Sequence, residues 1–194
     1  DRLRLRQWLP ADREPFAALN ADPRVMEFFP ATLDRTGSDA MADRCESLIA
    51  ERGWGFWAAE VKGNDQFIGF VGLHIPSSDL PISPCVEIGW RLAFQYWNRG
   101  FASEAARGAL RVGFELLNLT EIVSFTVVRN LRSRAVMEKL GMTEAPSTFE
   151  HPHIPVGNAL RLHCLCRLSR EQWRNMPHNT SLNLTRGAGA PLPG

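Results

Sequence analysis

The sequence predicts an α/β fold in which a central mixed sheet carries helices on both faces. Three observations lead there. Residues 86 to 140 alternate strand, helix, strand and helix, which demands a parallel pair joined by a right-handed crossover. Two apolar runs flank Lys62-Gly63-Asn64-Asp65, a hairpin signature that adds antiparallel strands. Arg2-Leu3-Arg4-Leu5-Arg6 alternates strictly, as a half-buried strand does.

Taken in order, that first strand is followed by a short helix from Asp12 to Asn20, with Asp12 as its cap. "ADPRVMEFFP" reads as a turn and an apolar patch. Ser38 to Glu51 places Met41, Cys45, Leu48 and Ile49 at helical spacing, and Gly53 closes that helix. The hairpin strands come next, then a strand from Val86 to Leu92 and a helix from Ala102 to about Leu117. "EIVSFTVV" is another strand. Asn130 opens a helix that runs to Leu140 and stops at Gly141. Leu160 to Leu168 is the last strand, "LSREQW" a short helical end, and "FEHPHIPVG" a proline-bounded loop. No internal repeat occurs. The reading is one domain over residues 1–176 and a small, polar, flexible tail over 177–194.

The 194 residues carry a formal net charge of +1, so no global field favours nucleic acid or an anionic membrane. No apolar run approaches the roughly 20 residues of a membrane span, and no signal-peptide pattern precedes the first strand. These features point to a cytoplasmic protein, monomeric or homodimeric. Cys45, Cys85, Cys164 and Cys166 form neither a zinc pattern nor a Cys-x-x-Cys redox pair and read as buried free thiols. His151, His153 and His163 lack carboxylate or cysteine partners at zinc spacing, so no metal is expected.

"QYWNRGFASEAARGAL" holds the most informative joint in the chain. A glycine, Gly100, stands where a strand and turn give way to an alanine-rich helix. A helix start leaves its first amides unpaired and carries partial positive charge, which attracts phosphate. Gly100 and Ala102 let an anion touch the backbone. Asn98 tolerates the left-handed conformation a tight turn needs, Arg99 adds a charged donor, and Ser103 caps or contacts a phosphate oxygen. The bland alternative is a turn that needed one glycine. There is no Gly-Lys-Ser/Thr, and the spacing is wrong for a dinucleotide fingerprint.

"DPRVMEFFP", "VEIGWRL", "YWNRGFASEA", "RNLRSRAVMEKLGM" and "LRLHCLCRLSREQW" occur in this order between Arg2 and Trp173. Together they resemble the GNAT superfamily of N-acetyltransferases, and in particular its RimJ/RimL-type branch, which acetylates protein N-terminal and related amines. The resemblance implies an acyl-CoA N-acyltransferase fold with acetyl-CoA as the acyl donor. In it, Asn98, Arg99, Gly100, Phe101, Ala102 and Ser103 bind the pyrophosphate, largely through backbone amides. The strands at 86–92 and 122–128 splay so that pantetheine bonds like an added strand. Asn130 holds the pantetheine arm, and the backbone of Trp90, Arg91 and Leu92 faces the thioester. The general family pattern has Gln or Arg at the position of Trp97 and often Gly at that of Asn98; Trp and Asn suit the RimJ/RimL-type branch.

Chemistry follows from these places. A protonated amine cannot attack a thioester, so Glu87 is the candidate base, directly or through water. An amide near Leu92 is the candidate oxyanion donor. The only tyrosine, Tyr96, precedes the loop, so the thiolate's proton comes from Ser133 or water. Each residue has a plainer role beside this one: Glu87 as a solvated strand residue, Asn130 as a helix cap, Ser133 as a partner of local backbone. Arg129, Arg132 and Arg134 are phosphate contacts or a solvated helix face. Trp54, Trp57, Trp90 and Trp97 line an acceptor pocket or fill the core. A non-catalytic acyl-CoA-binding module is the competing class. The amine acceptor itself leaves no charge cluster in residues 23–57 or 144–160.

Overall fold

The computed structural model describes residues 2–177; the expected tail from 178 onward lies outside the described residues. Eight strands form one sheet in the order β1-β2-β3-β4-β5-β8-β6, with β7 also on β8. They are β1 (Leu3–Arg6), β2 (Phe56–Val61), β3 (Gln66–His74), β4 (Glu87–Leu92), β5 (Glu121–Val127), β6 (Thr143–Glu144), β7 (Phe149–Glu150) and β8 (Leu162–Ser169). The helices are α1 (Arg13–Ala21), α2 (Arg35–Arg52), α3 (Phe101–Arg111), α4 (Leu131–Lys139) and α5 (Arg170–Arg174). All neighbouring strands run antiparallel except β4 and β5, which are parallel.

The sheet separates two cores. On one face Ile68, Val71, Leu73, Ile88, Ile122 and Leu168 pack with Ala106, Ala109 and Leu110 of α3. On the other, Phe67 and Phe70 pack with Trp8 and with Phe16 and Ile49 of α1 and α2. Alternation along each strand sends successive side chains to opposite cores. A β-bulge at Ile68 of β3, which falls between the partners of Ala59 and Glu60, shifts the register with β2. Gly69, beside it, has φ +136°, and a Cβ there would lie 2.1 Å from the Arg91 carbonyl oxygen of β4. Only glycine allows β3 to approach β4 so closely at that point.

Several elements differ in detail from the sequence reading. α2 begins at Arg35 rather than Ser38, because Asp34 accepts from the Gly37 amide at 2.7 Å and caps the helix earlier. Asp12 does not cap α1 with its side chain. Its carboxylate faces Arg6 at 2.7 and 2.8 Å and accepts from the Leu9 amide at 2.8 Å, so a buried ion pair outcompetes the cap. The helix after Gly100 keeps α geometry only to Arg111 and widens into a π turn over Val112–Leu116. β6 and β7 were not anticipated; each is only two residues long and takes its pairing from β8. Cys45, Cys164 and Cys166 are buried and Cys85 half-buried, all as free thiols.

Gly69→Ala is expected to lower stability by about 3 kcal/mol, as backbone strain and a clash with β4 add together. Urea unfolding followed by circular dichroism checks this; an unchanged midpoint would show that β3 and β4 separate there without cost.

Candidate active site

β4 and β5 share one register pair, Glu87 with Val123, and then part. At the fork the Val123 amide donates to the Val86 carbonyl at 2.9 Å. The next rung of a parallel ladder would carry the Phe125 amide to the Ile88 carbonyl. Instead the buried Ser124 hydroxyl donates to that carbonyl at 2.9 Å. Ser124 thus satisfies the last shared acceptor and ends the ladder, a role that no sequence motif signals.

Beyond the fork, strand alternation directs the amides of Trp90 and Leu92 and the carbonyl of Trp90 toward β5. The amides of Phe125 and Val127 and the Phe125 carbonyl face back toward β4. Two further carbonyls at this edge are already used: Leu92 accepts from the Trp97 indole at 2.8 Å, and Val127 accepts from the Asn130 amide at 2.8 Å. The gap therefore presents two strand edges with free donors and acceptors, which need a partner when water is displaced.

The gap opens into a cleft of about 460 Å³. Trp90, Arg91 and Leu92 of β4, the loop and first turn of α3, and Asn130 and Ser133 of α4 all border it. Asn98 and Gly100 both adopt left-handed conformations, with φ +57° and +78°. These two turns bring the start of α3 around so that the amides of Phe101, Ala102 and Ser103, unpaired within the helix, head the helix at the cleft. No side chain caps them. The Arg2 guanidinium stacks over Phe101 at 4.4 Å and donates to the Arg99 carbonyl at 3.1 Å, and the Arg99 guanidinium lies 5.1 Å from the centre of the same ring. Glu104 takes up the Arg2 charge at 2.7 Å, so Arg99 is the cation left beside Phe101 at the start of α3.

Asn130 caps α4: its side-chain oxygen accepts from the Ser133 amide at 3.2 Å. Its amide nitrogen donates to the Thr126 hydroxyl at 2.9 Å and the Ser133 hydroxyl at 3.1 Å. The cap role and a place at the cleft coexist, and the Ser133 hydroxyl keeps its own proton free to donate. Tyr96 is buried at the cleft wall.

Glu87 and Arg99 are the two expected site residues outside the cleft lining. Glu87 stands at the fork, on the sheet face opposite α3, with its carboxyl 3.8 Å from where a Gly89 Cβ would lie. Part of the residue remains accessible, yet burial of the carboxyl pushes its pKa up to about 8. Gly89 and Arg91 follow on that face, and the Phe56 ring covers Gly89.

The sequence reading missed Val25 and Phe28, which reach the cleft from the segment between α1 and α2. Their signal was the apolar patch in "DPRVMEFFP". Of the three arginines near α4, Arg132 lines the cleft, pairs with Glu27 and stacks 4.8 Å from Trp97. Arg134 instead pairs with Glu144 at 2.9 Å, and Arg129 is exposed. Trp90 and Trp97 line the cleft, whereas Trp54 and Trp57 pack against the core. Burial pushes the Cys45 and Cys166 thiols up to about 11, which leaves them protonated and poor nucleophiles. The His151 ring meets His153 edge-on at 5.3 Å and lies tilted against His163 at 5.1 Å. Among the described residues no group of three or more His, Cys, Asp or Glu side chains is arranged to hold a metal.

Known proteins share this architecture. A family model described as an acetyltransferase (GNAT) domain matches residues 2–143. The FsC-acetyl coenzyme A-N(2)-transacetylase of Aspergillus fumigatus is 29% identical over 173 residues, covering 84% of this chain and 72% of that protein. A GNAT-family acetyltransferase structure from Bacillus anthracis superposes with a TM-score of 0.74 at 25% identity, over 88% of this chain and 96% of that one. Spermidine N-acetyltransferase from Vibrio cholerae, solved with CoA and spermine, shares the fold with a TM-score of 0.70 at 19% identity, over 90% and 99% of the two chains. With a family model spanning most of its length and a forked sheet of this kind, the chain belongs to the GNAT family of acetyl-CoA-dependent N-acetyltransferases.

Proposed function

We propose that the chain moves the acetyl group of acetyl-CoA directly to a primary amine, with no acyl-enzyme between. The observation that carries this reading is the fork between β4 and β5, which offers backbone hydrogen bonds beside the uncapped start of α3. Pantetheine amides take the places of the missing ladder partners, and the diphosphate meets the amides of Gly100 to Ser103. Arg99 adds positive charge beside the start of α3. Asn130 steadies the arm from the opposite wall.

The thioester then lies beside Trp90 and Leu92, where the Leu92 amide is free to stabilise the oxyanion. Glu87 is three residues away along β4, about 10 Å at strand rise. That is too far for one hydrogen bond, so the amine's proton reaches the carboxylate through water. The expelled thiolate takes its proton from water, directly or through the Ser133 hydroxyl, which regains a proton from solvent as it gives one up. Trp97 and Asn98 support a place in the RimJ/RimL-type branch, and the protein works in the cytoplasm. Among the described residues no helix is long and apolar enough to cross a membrane.

Gly100→Glu should weaken acetyl-CoA binding at least tenfold in calorimetry, because it places a carboxylate where the diphosphate sits and strains a φ of +78°. Binding equal to wild type would remove the diphosphate from this loop.

For Glu87→Gln, the wild-type-to-variant ratio of kcat/KM should climb about tenfold per pH unit below pH 8 and level off above it, reaching at least about 100-fold. A ratio independent of pH would assign the base to another group. Stability moves the other way. The folded carboxyl titrates near 8 rather than near its ordinary 4.5, so the native state holds its proton longer than the unfolded chain. Wild type therefore loses stability between those two values as pH rises, and none below them. Glu87→Gln should match wild type at pH 4.5 and exceed it at pH 9 by on the order of a few kcal/mol, read by denaturant unfolding.

A further inference from the structure

Arg91 is the residue the acetyl-transfer chemistry leaves unexplained. It is 8% exposed and has no carboxylate partner among the described residues. Its Nη1 donates to the Asn20 side-chain oxygen at 2.7 Å and to the Met41 sulfur at 3.6 Å. Nε is buried with no acceptor, and Nη2 makes no hydrogen bond among the described residues. The nearby Cys45 thiol stays protonated at neutral pH and supplies no counter-charge. Burial pulls the guanidinium's pKa down to about 10, but it remains a cation under physiological conditions.

A buried cation with only neutral partners costs free energy unless a ligand completes it. The arrangement of its contacts indicates which ligand. Phe29 stacks 4.1 Å from the guanidinium carbon and Phe70 5.4 Å from it, so aromatic rings attend its faces. Asn20 and Met41 hold one nitrogen. What remains is the Nε–Nη2 edge, two parallel N–H donors whose spacing matches the two oxygens of a carboxylate. Arg91 also sits between Trp90 and Leu92, and its side chain leaves β4 on the face that carries Glu87.

We propose that Arg91 reads a carboxylate on the amine acceptor, so that the enzyme acetylates amino-acid-like molecules rather than polyamines. The proposal rests on the transferase reading above and names its substrate class. The carboxylate takes the free edge of the guanidinium, and the amine of the same small molecule reaches the thioester beside Trp90 and Leu92. Phe29, itself 37% exposed, lies over one face of the guanidinium, and the side chains around the buried Nε must shift to admit the acceptor. A polycationic acceptor meets an unpaired positive charge at that place and is repelled.

The test compares amines with and without a carboxylate: ornithine against putrescine, and phenylalanine against phenethylamine, with CoA release as the readout. Wild type should prefer the acid of each pair at least tenfold in kcat/KM. Arg91→Leu should bring the ratio near one, and Arg91→Lys, which keeps the charge but loses the fork, should fall between. Equal or reversed preference in wild type, or a preference that survives in Arg91→Leu, overturns the assignment. A binding readout stands apart from turnover. Nα-acetylphenylalanine titrated into the CoA-loaded wild-type protein should bind where its amide does not, and Arg91→Leu should lose that binding. Acid and amide binding alike, or no binding of the acid, also overturns it. Failure of the transferase reading looks different: acetyl-CoA does not bind, or no amine of either kind releases CoA.

Discussion

The active site depends on an interruption of backbone pairing. Parallel strands that lie side by side normally satisfy every inner amide and carbonyl, and buried groups left without partners are rare. Here β4 and β5 pair once, at Glu87 and Val123, and then diverge, and the β4 edge from Trp90 to Leu92 lines a cleft. The interruption is built from identifiable contacts. Ser124 takes the Ile88 carbonyl, Trp97 takes the Leu92 carbonyl, and Asn130 draws the Val127 carbonyl into the start of α4. These three contacts satisfy acceptors at the two ends of the opening and leave the donors between them for a ligand. The apolar packing on both faces fixes the rest of the sheet, so the strands are held apart by structure already present in the free protein.

The two sheet faces divide the chemistry between them. α3 and α4 stand on one side, and their uncapped and Asn130-capped ends border the cleft where the cofactor arm is proposed to lie. The other side carries Glu87, Gly89 and Arg91 in alternating register, beneath Phe56 and the residues of α1 and α2. The fork joins these two sides. A thioester in the opening is therefore accessible to an amine arriving from the opposite face, which suits direct transfer. It also explains why the proposed base stands outside the cleft lining: it belongs to the acceptor's side and reaches the reaction through water.

The helices, the hairpin and the parallel crossover were legible because each rests on local chemistry. Asp65 and Gly63 take positive φ in the hairpin turn, and Asn130 accepts from the Ser133 amide as a helix cap should. The left-handed turns at Asn98 and Gly100 follow from residue types that tolerate them. What the sequence concealed depends on contacts between distant segments. β6 and β7 exist only because β8 supplies their pairing. Ser124 looks like any strand serine until Ile88 is placed beside it. Val25 and Phe28 read as a generic apolar patch, and Arg91 as one more arginine, until the fold shows their surroundings.

Amide hydrogen exchange with and without CoA tests the open fork most directly. CoA should slow exchange at Trp90, Leu92, Phe125 and Val127, together with Phe101 to Ser103, while Gly89, Arg91 and the β8 amides stay nearly unchanged. Protection confined to the helix start, or spread evenly over the sheet, would contradict the claim that the cofactor arm completes the unpaired edges of β4 and β5.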